Sequence, residues 1–109
     1  MAASLSFYVD ILGFKKADWG TENFSSVSRG NACLYLCRDG QGHPGTWIWL
    51  GIDGNIFELH KHLQSLGVTI KLPPTNFWWA LEMHIQDPDG HVLRIGTEPD
   101  ELKPFEPGF

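Results

Sequence analysis

Apolar residues recur along this chain at two spacings, and their alternation predicts one order of elements twice over. Across residues 3–12, Leu5, Tyr8, Ile11 and Leu12 make a helical stripe, and Gly13 follows where a left-handed cap closes a helix. Strands are predicted over 14–18, 24–28 and 32–37, the last two joined by a tight turn at Gly30-Asn31. A Gly-rich connection carrying Pro44 separates this half from the next. Residues 46–52 then alternate as a strand, and 55–66 form a helix through Phe57, Leu59, Leu63 and Leu66, stopped by Gly67. Strands at 68–72, 80–86 and 91–96 complete the pattern, the last two as a hairpin around Asp87-Pro88-Asp89-Gly90.

The two halves share a junction. Ile11-Leu12-Gly13-Phe14 and Ser65-Leu66-Gly67-Val68 both pass from helix through glycine into a strand. A duplicated βαβββ unit explains this, giving an α+β domain whose tandem units form a curved mixed sheet with helices on the outer face. The domain spans 1–109, with unit one at 1–38, a loop at 39–45, unit two at 46–97 and a C-terminal segment at 98–109. Unit two begins with a strand, whereas the sequence opens directly on the first helix. The first strand of unit one is therefore missing, or another segment takes its place.

Composition narrows the partners. The chain has 109 residues, 42% hydrophobic and 19% charged, enough for one small core. Its formal net charge of -5 argues against nucleic acid, whose phosphates demand clustered Lys and Arg, and favours a cationic small molecule. No apolar run suits a membrane helix or signal peptide, so a cytoplasmic location without membrane partners is expected. Cys33 and Cys37 fall on one predicted strand, roughly 13 Å apart, too far for a disulfide, and are expected as reduced, inert thiols.

Strand alternation sorts side chains into two faces. Ile48, Leu50 and Ile52 point one way and Trp47 and Trp49 the other; Leu81, Met83 and Ile85 oppose Glu82, His84 and Gln86; Leu93 and Ile95 oppose Arg94; Leu34 and Leu36 oppose Tyr35. One face thus collects Tyr35, Trp47, Trp49, Glu82, His84 and Arg94. Aromatic walls with few polar groups suit a small-molecule pocket, and indole faces stack on planar rings and attract cations. The five tryptophans also suit a core or a dimer interface. Of Trp78 and Trp79, neighbours on a strand, only one can line the pocket. Arg94 either anchors a ligand anion or pairs with Glu82, and pairing is preferred because a semi-buried arginine requires a partner. His84 is a candidate acid or base, yet no second catalytic group accompanies it. His60 and His62 diverge around their helix and are expected on the surface.

In their order and spacing, the segment from Ser6 to Phe14, the central strand and helix, and the closing Asp87-Pro88-Asp89-Gly90 hairpin resemble the vicinal oxygen chelate superfamily, the glyoxalase, bleomycin resistance and ring-cleaving dioxygenase group. The resemblance covers essentially the whole chain. In its metal-dependent members, ligands come from the first strand of each unit and from the last strands. Here the first strand of unit one is absent, the histidine position opening unit two falls on Trp47, and the terminal carboxylate position falls on Arg94. The metal-free bleomycin resistance proteins, which sequester a drug without modifying it, are the nearest match. Trp47-Ile48-Trp49-Leu50, Glu22-Asn23-Phe24 and Trp79 resemble their aromatic segments, and the resemblance assigns Phe24, Trp47 and Trp79 to ligand binding.

The function expected is metal-independent binding of a planar, preferably cationic ligand, bleomycin-like in character, with no cofactor and no catalytic residue, as in antibiotic resistance by sequestration. The ligand-binding set is Phe24, Tyr35, Trp47, Trp49, Trp79, Glu82, His84 and Arg94. The alternative is a metal-dependent lyase, transferase or dioxygenase of the same superfamily using Glu82, His84 and His91; a third reading is an interaction module with an exposed aromatic patch. The resemblance also implies a homodimer, with the segment from Leu102 to Phe109 a candidate to cover part of the groove.

Overall fold

A computed structural model describes residues 1–40 and 46–108. Most of the predicted loop 39–45, and Phe109, lie outside the described residues. The chain divides into two units, Met1–Pro44 and Gly45–Phe109.

The first unit opens with a short α-helix, α1 (Ala2–Leu5), which widens into a π-helix over Ser6–Ile11. A purely α-helical stripe was the expectation. The Leu12 amide instead donates to the Phe7 carbonyl, five residues back, at 3.0 Å, and this spacing brings Phe7 and Leu12 onto one face. Phe7, Tyr8, Leu12 and Phe14 are all buried, with the Phe7–Tyr8 and Tyr8–Phe14 rings edge to face. The helix ends at Gly13 (φ +76°), and Arg29 Nη1 caps it by donating to the Leu12 carbonyl at 2.6 Å.

Three antiparallel strands follow in the order β1 (Lys15–Lys16), β2 (Phe24–Arg29) and β3 (Ala32–Cys37). β1 is shorter than the predicted strand, because beyond Lys16 only the Ala17 amide reaches β2. β2 and β3 meet at Gly30 (φ +57°), and the register pairs Phe24 with Cys37 and Ser26 with Tyr35. Both cysteines are free thiols.

In the second unit the strand order is β4 (Trp47–Gly51), β7 (Val92–Thr97), β6 (Leu81–Gln86), β5 (Thr69–Asn76), with β4 parallel to β7 and the rest antiparallel. This is a full βαβββ unit. Its helix α2 (Ile56–Ser65) stops where Gly67 takes the same φ of +76° as Gly13, so the duplicated junction is duplicated in backbone conformation. β5 runs past the predicted end at Leu72 and carries Pro73 and Pro74, which an edge strand tolerates because one side needs no ladder donor. Ile56 and Leu63 of α2 pack on β5 and β6, over a core of Met83, Ile85, Leu93 and Ile95. His62 is exposed as expected, but His60 is half-buried, a correction arising from its place one turn from both Ile56 and Leu63 on the packed face of α2. In the first unit, the described sheet ends at β3, where the second has β4 beside β7. No helix among the described residues is long and apolar enough to cross a membrane.

Asn55 caps α2, its Oδ1 accepting from the Phe57 amide at 2.9 Å and the Glu58 amide at 3.2 Å. Asn55→Ala is expected to cost about 1 kcal/mol, read as a lower urea midpoint with an unchanged slope.

Candidate functional site

The ladders of the second unit assemble a row of side chains on one face of the sheet. Trp49 pairs with Arg94 and Arg94 with His84; one row along, Gly51 pairs with Gly96 and Gly96 with Glu82. Paired residues on neighbouring strands share a face, so Trp47, Trp49, Arg94, His84 and Glu82 converge. The opposite face carries Ile48, Leu50, Leu93, Ile95, Met83 and Ile85 and supplies the core.

Glu82 is the hub of the polar group. Its side chain is fully buried, and its carboxylate accepts from Arg94 Nε at 2.9 Å and Nη2 at 3.1 Å, from the His84 ring at 2.7 Å, and from the Trp79 indole. Burial pushes the carboxyl pKa up, but the hydrogen bonds from Arg94, His84 and Trp79, with the charge of Arg94, outweigh it and hold the group below its ordinary 4.5. Glu82 is thus ionised at neutral pH and can only accept, so the proton between it and His84 belongs to His84 Nε2.

The other side of Arg94 meets the tryptophans. Its guanidinium carbon lies 4.7 Å from the Trp47 ring centroid and 6.0 Å from that of Trp49. A delocalised planar cation between a carboxylate and an indole is satisfied both electrostatically and by stacking. Trp49 lies across the backbone of Gly96, where an added Cβ would stand only 2.2 Å from the ring. Glycine at 96 is what allows the indole to lie there. Trp47 and Trp49 remain 56% and 43% exposed, which leaves ring surface for a ligand.

The remaining predicted residues are placed differently. Trp78 and Trp79 lie in the turn between β5 and β6, closed by the Phe77 amide on the Ala80 carbonyl, so strand alternation does not govern them. Trp79 is half-buried, stacked on Phe77 at 4.6 Å, while Trp78 is exposed. Phe24 and Tyr35 come together in the first unit, 5.7 Å apart and nearly parallel, joined by Trp19 at 5.9 Å from Phe24 and 6.5 Å from Tyr35. The three centroids form a triangle, hence a patch rather than a file of rings. Trp19 escaped the sequence reading because it belongs to no strand. The signal for it was Gly20, at φ +133° in the turn that returns Thr21 to the Phe24 carbonyl.

These residues do not fit a metal centre. Arg94, at the position the family resemblance gives to a carboxylate, would repel a divalent ion, and Glu82 beside it already serves three donors. Among the described residues no three of His, Cys, Asp and Glu come together, Glu82, His84 and His91 included.

Arg94→Leu is expected to cost about 3–5 kcal/mol, because it strands a buried carboxylate, and Glu82→Leu with Arg94→Leu to recover much of that in urea unfolding. The lowered Glu82 pKa also sets a pH dependence. Its contribution is complete above the ordinary carboxylate value and is lost as pH falls from about 4.5 through the lower folded pKa. Unfolding followed from pH 7 to 3 should show a shallower acid loss in Glu82→Gln than in the wild type.

Solved structures share this fold. TnmS3, an antibiotic binding protein from Streptomyces sp. CB03234, is 22% identical with a TM-score of 0.72, covering 89% of this chain and 85% of its own. A member of the glyoxalase/bleomycin resistance protein/dioxygenase superfamily from Sphaerobacter thermophilus DSM 20745 is 28% identical with a TM-score of 0.68, covering 86% and 85%. A protein described in the same terms from Nocardioides is 18% identical with a TM-score of 0.74, covering 98% and 82%. No curated protein matches the sequence significantly. The family model for the Glyoxalase/Bleomycin resistance protein/Dioxygenase superfamily matches residues 1–95, and the chain belongs to that superfamily.

Proposed function

We propose that this protein is a metal-independent small-molecule binding protein that captures a planar aromatic ligand against Trp47 and Trp49 and lowers its free concentration. The observation that carries the reading is the Trp47–Arg94–Trp49 arrangement, fixed from below by the buried Glu82 carboxylate. The ion pair holds Arg94 in place between the two rings before any ligand arrives. The rings are half-exposed and the polar groups are already satisfied, so binding a flat molecule there desolvates little that is polar. The antibiotic-binding function of the structural neighbour TnmS3 supports a small-molecule ligand.

Charge refines the ligand. A net charge of -5 draws cations from a distance, yet at contact range Arg94 occupies the groove. The Arg94 charge is balanced by Glu82, so a planar ring that carries delocalised positive charge can stack on the indole faces beside it. Phe24, Tyr35 and Trp19 offer a second aromatic patch in the first unit. Sequestration of a bleomycin-like compound, as a cytoplasmic homodimer, is the form of this activity that the family resemblance suggests.

An enzyme of the same superfamily is the alternative, and the 2.7 Å contact between Glu82 and His84 is the observation that favours it, since a carboxylate holding an imidazole is a common acid–base arrangement. Binding and catalysis separate in two measurements. Tryptophan fluorescence is expected to quench on titration with bleomycin or 9-aminoacridine, with Trp47→Ala raising Kd roughly tenfold through loss of about 1–2 kcal/mol of stacking. Metal analysis of protein purified without chelators is expected to find no stoichiometric Zn, Mn, Ni or Fe. Stoichiometric metal, or silence toward both compounds, would sink the binding reading.

A further inference from the structure

The segment that follows β7 is anchored along β5. Asn76, the last residue of β5, grips it with both ends of its side chain: Oδ1 accepts from the Asp100 amide at 2.9 Å, while Nδ2 donates to the carbonyls of Asp100 at 2.8 Å and Pro104 at 3.3 Å. The Asn76 carbonyl accepts from the Glu106 amide at 2.8 Å. Farther on, Gly108 lies so close to Trp79 that an added Cβ would stand 3.0 Å from the indole.

Between this segment and the sheet is a wide-open cavity of about 580 Å³. Leu72, Pro74 and Phe77 line it from one side and Pro104 and Pro107 from the other. That volume suits an organic ligand of ordinary size. Three of the five are prolines, which have no N–H to offer, so this part of the lining presents apolar surface. Thr75, Asn76, Lys103 and Glu106 complete the lining, the last two with opposite charges.

The register connects the cavity to the groove. Leu72 pairs with His84 and Thr75 with Glu82, extending across β5 the two rows that carry Trp49–Arg94–His84 and Gly96–Glu82. Phe77, in the cavity wall, stacks on Trp79, whose indole donates to Glu82.

We propose that this cavity is a second compartment of the ligand site, which takes an apolar arm of the molecule whose planar part lies on Trp47 and Trp49. The proposal rests on the groove reading given above. The ligand class it names is amphiphilic: a flat aromatic head joined to an aliphatic arm. The segment from Asp100 to Gly108 is then a wall of the binding site, held in place by Asn76.

Two probes on the full ¹⁵N-labelled chain separate the compartment from the groove. 1-Octanol, which has no ring to stack, is expected to shift the amides of Thr75, Phe77 and Glu106 and leave the Trp47 and Trp49 indole signals in place. 9-Aminoacridine is expected to do the reverse. Its 9-octylamino derivative is expected to bind on the order of tenfold more tightly than the parent through burial of the chain. Asn76→Ala should abolish that gain while the parent compound binds as before, with unchanged Met83 and Ile95 amide signals reporting an intact core. Pro104→Asp, which keeps the backbone grip and places a charge in the cavity, should abolish it too. Octanol without effect on those amides, or an octyl gain that survives both variants, overturns the compartment. An octanol response with 9-aminoacridine silent at both indoles overturns the groove reading instead.

Discussion

A carboxylate without water must have its partners supplied by the protein, and Glu82 imposes that requirement on half of the second unit. Its partners come from three places: Arg94 from β7, His84 from its own strand, and Trp79 from the turn before it. Arg94 and His84 are positioned by backbone pairing and Trp79 by the turn closed between Phe77 and Ala80, so the register that builds the sheet also builds the Arg94–Glu82–His84 cluster. Removing Arg94 leaves desolvated charge without compensation, and removing His84 or Trp79 takes a hydrogen bond from the same buried carboxylate.

The aromatic surface depends on the same arrangement. With its charge balanced by Glu82, Arg94 presents its flat guanidinium to Trp47 and Trp49, and the absence of a side chain at Gly96 gives Trp49 room to lie across the sheet. A carboxylate at 94 would stand against Glu82 as a like charge and call for a cation between them. Arginine there supplies that cation as part of the chain. The fold thus carries an Arg94–Glu82 ion pair beside two half-exposed tryptophans on one face of its sheet.

Edges shape the rest of the unit. β5 carries two prolines, which deprive the edge of ladder donors, and the segment gripped by Asn76 occupies the end of that edge. The first unit manages its helix end with Arg29 on the Leu12 carbonyl and gathers Trp19, Phe24 and Tyr35 into one patch.

The sequence alone determined the order of elements and the facing of side chains, because both follow from local periodicity: β3 begins and ends where its alternation predicted, and the two helix stops follow from glycines in the left-handed region. The pairing of Glu82 with Arg94 was also legible, since the two fall on the same face of one hairpin and a half-buried arginine needs an anion. Tertiary structure decided what local rules do not reach. The i→i+5 bonding that buries Phe7 arises in the packed helix, the placement of Trp19 and Trp79 depends on turns rather than strands, and the hold of Asn76 on Asp100 joins residues that are distant in sequence. Alternation tells which way a side chain points, but only the folded chain decides what stands there to meet it.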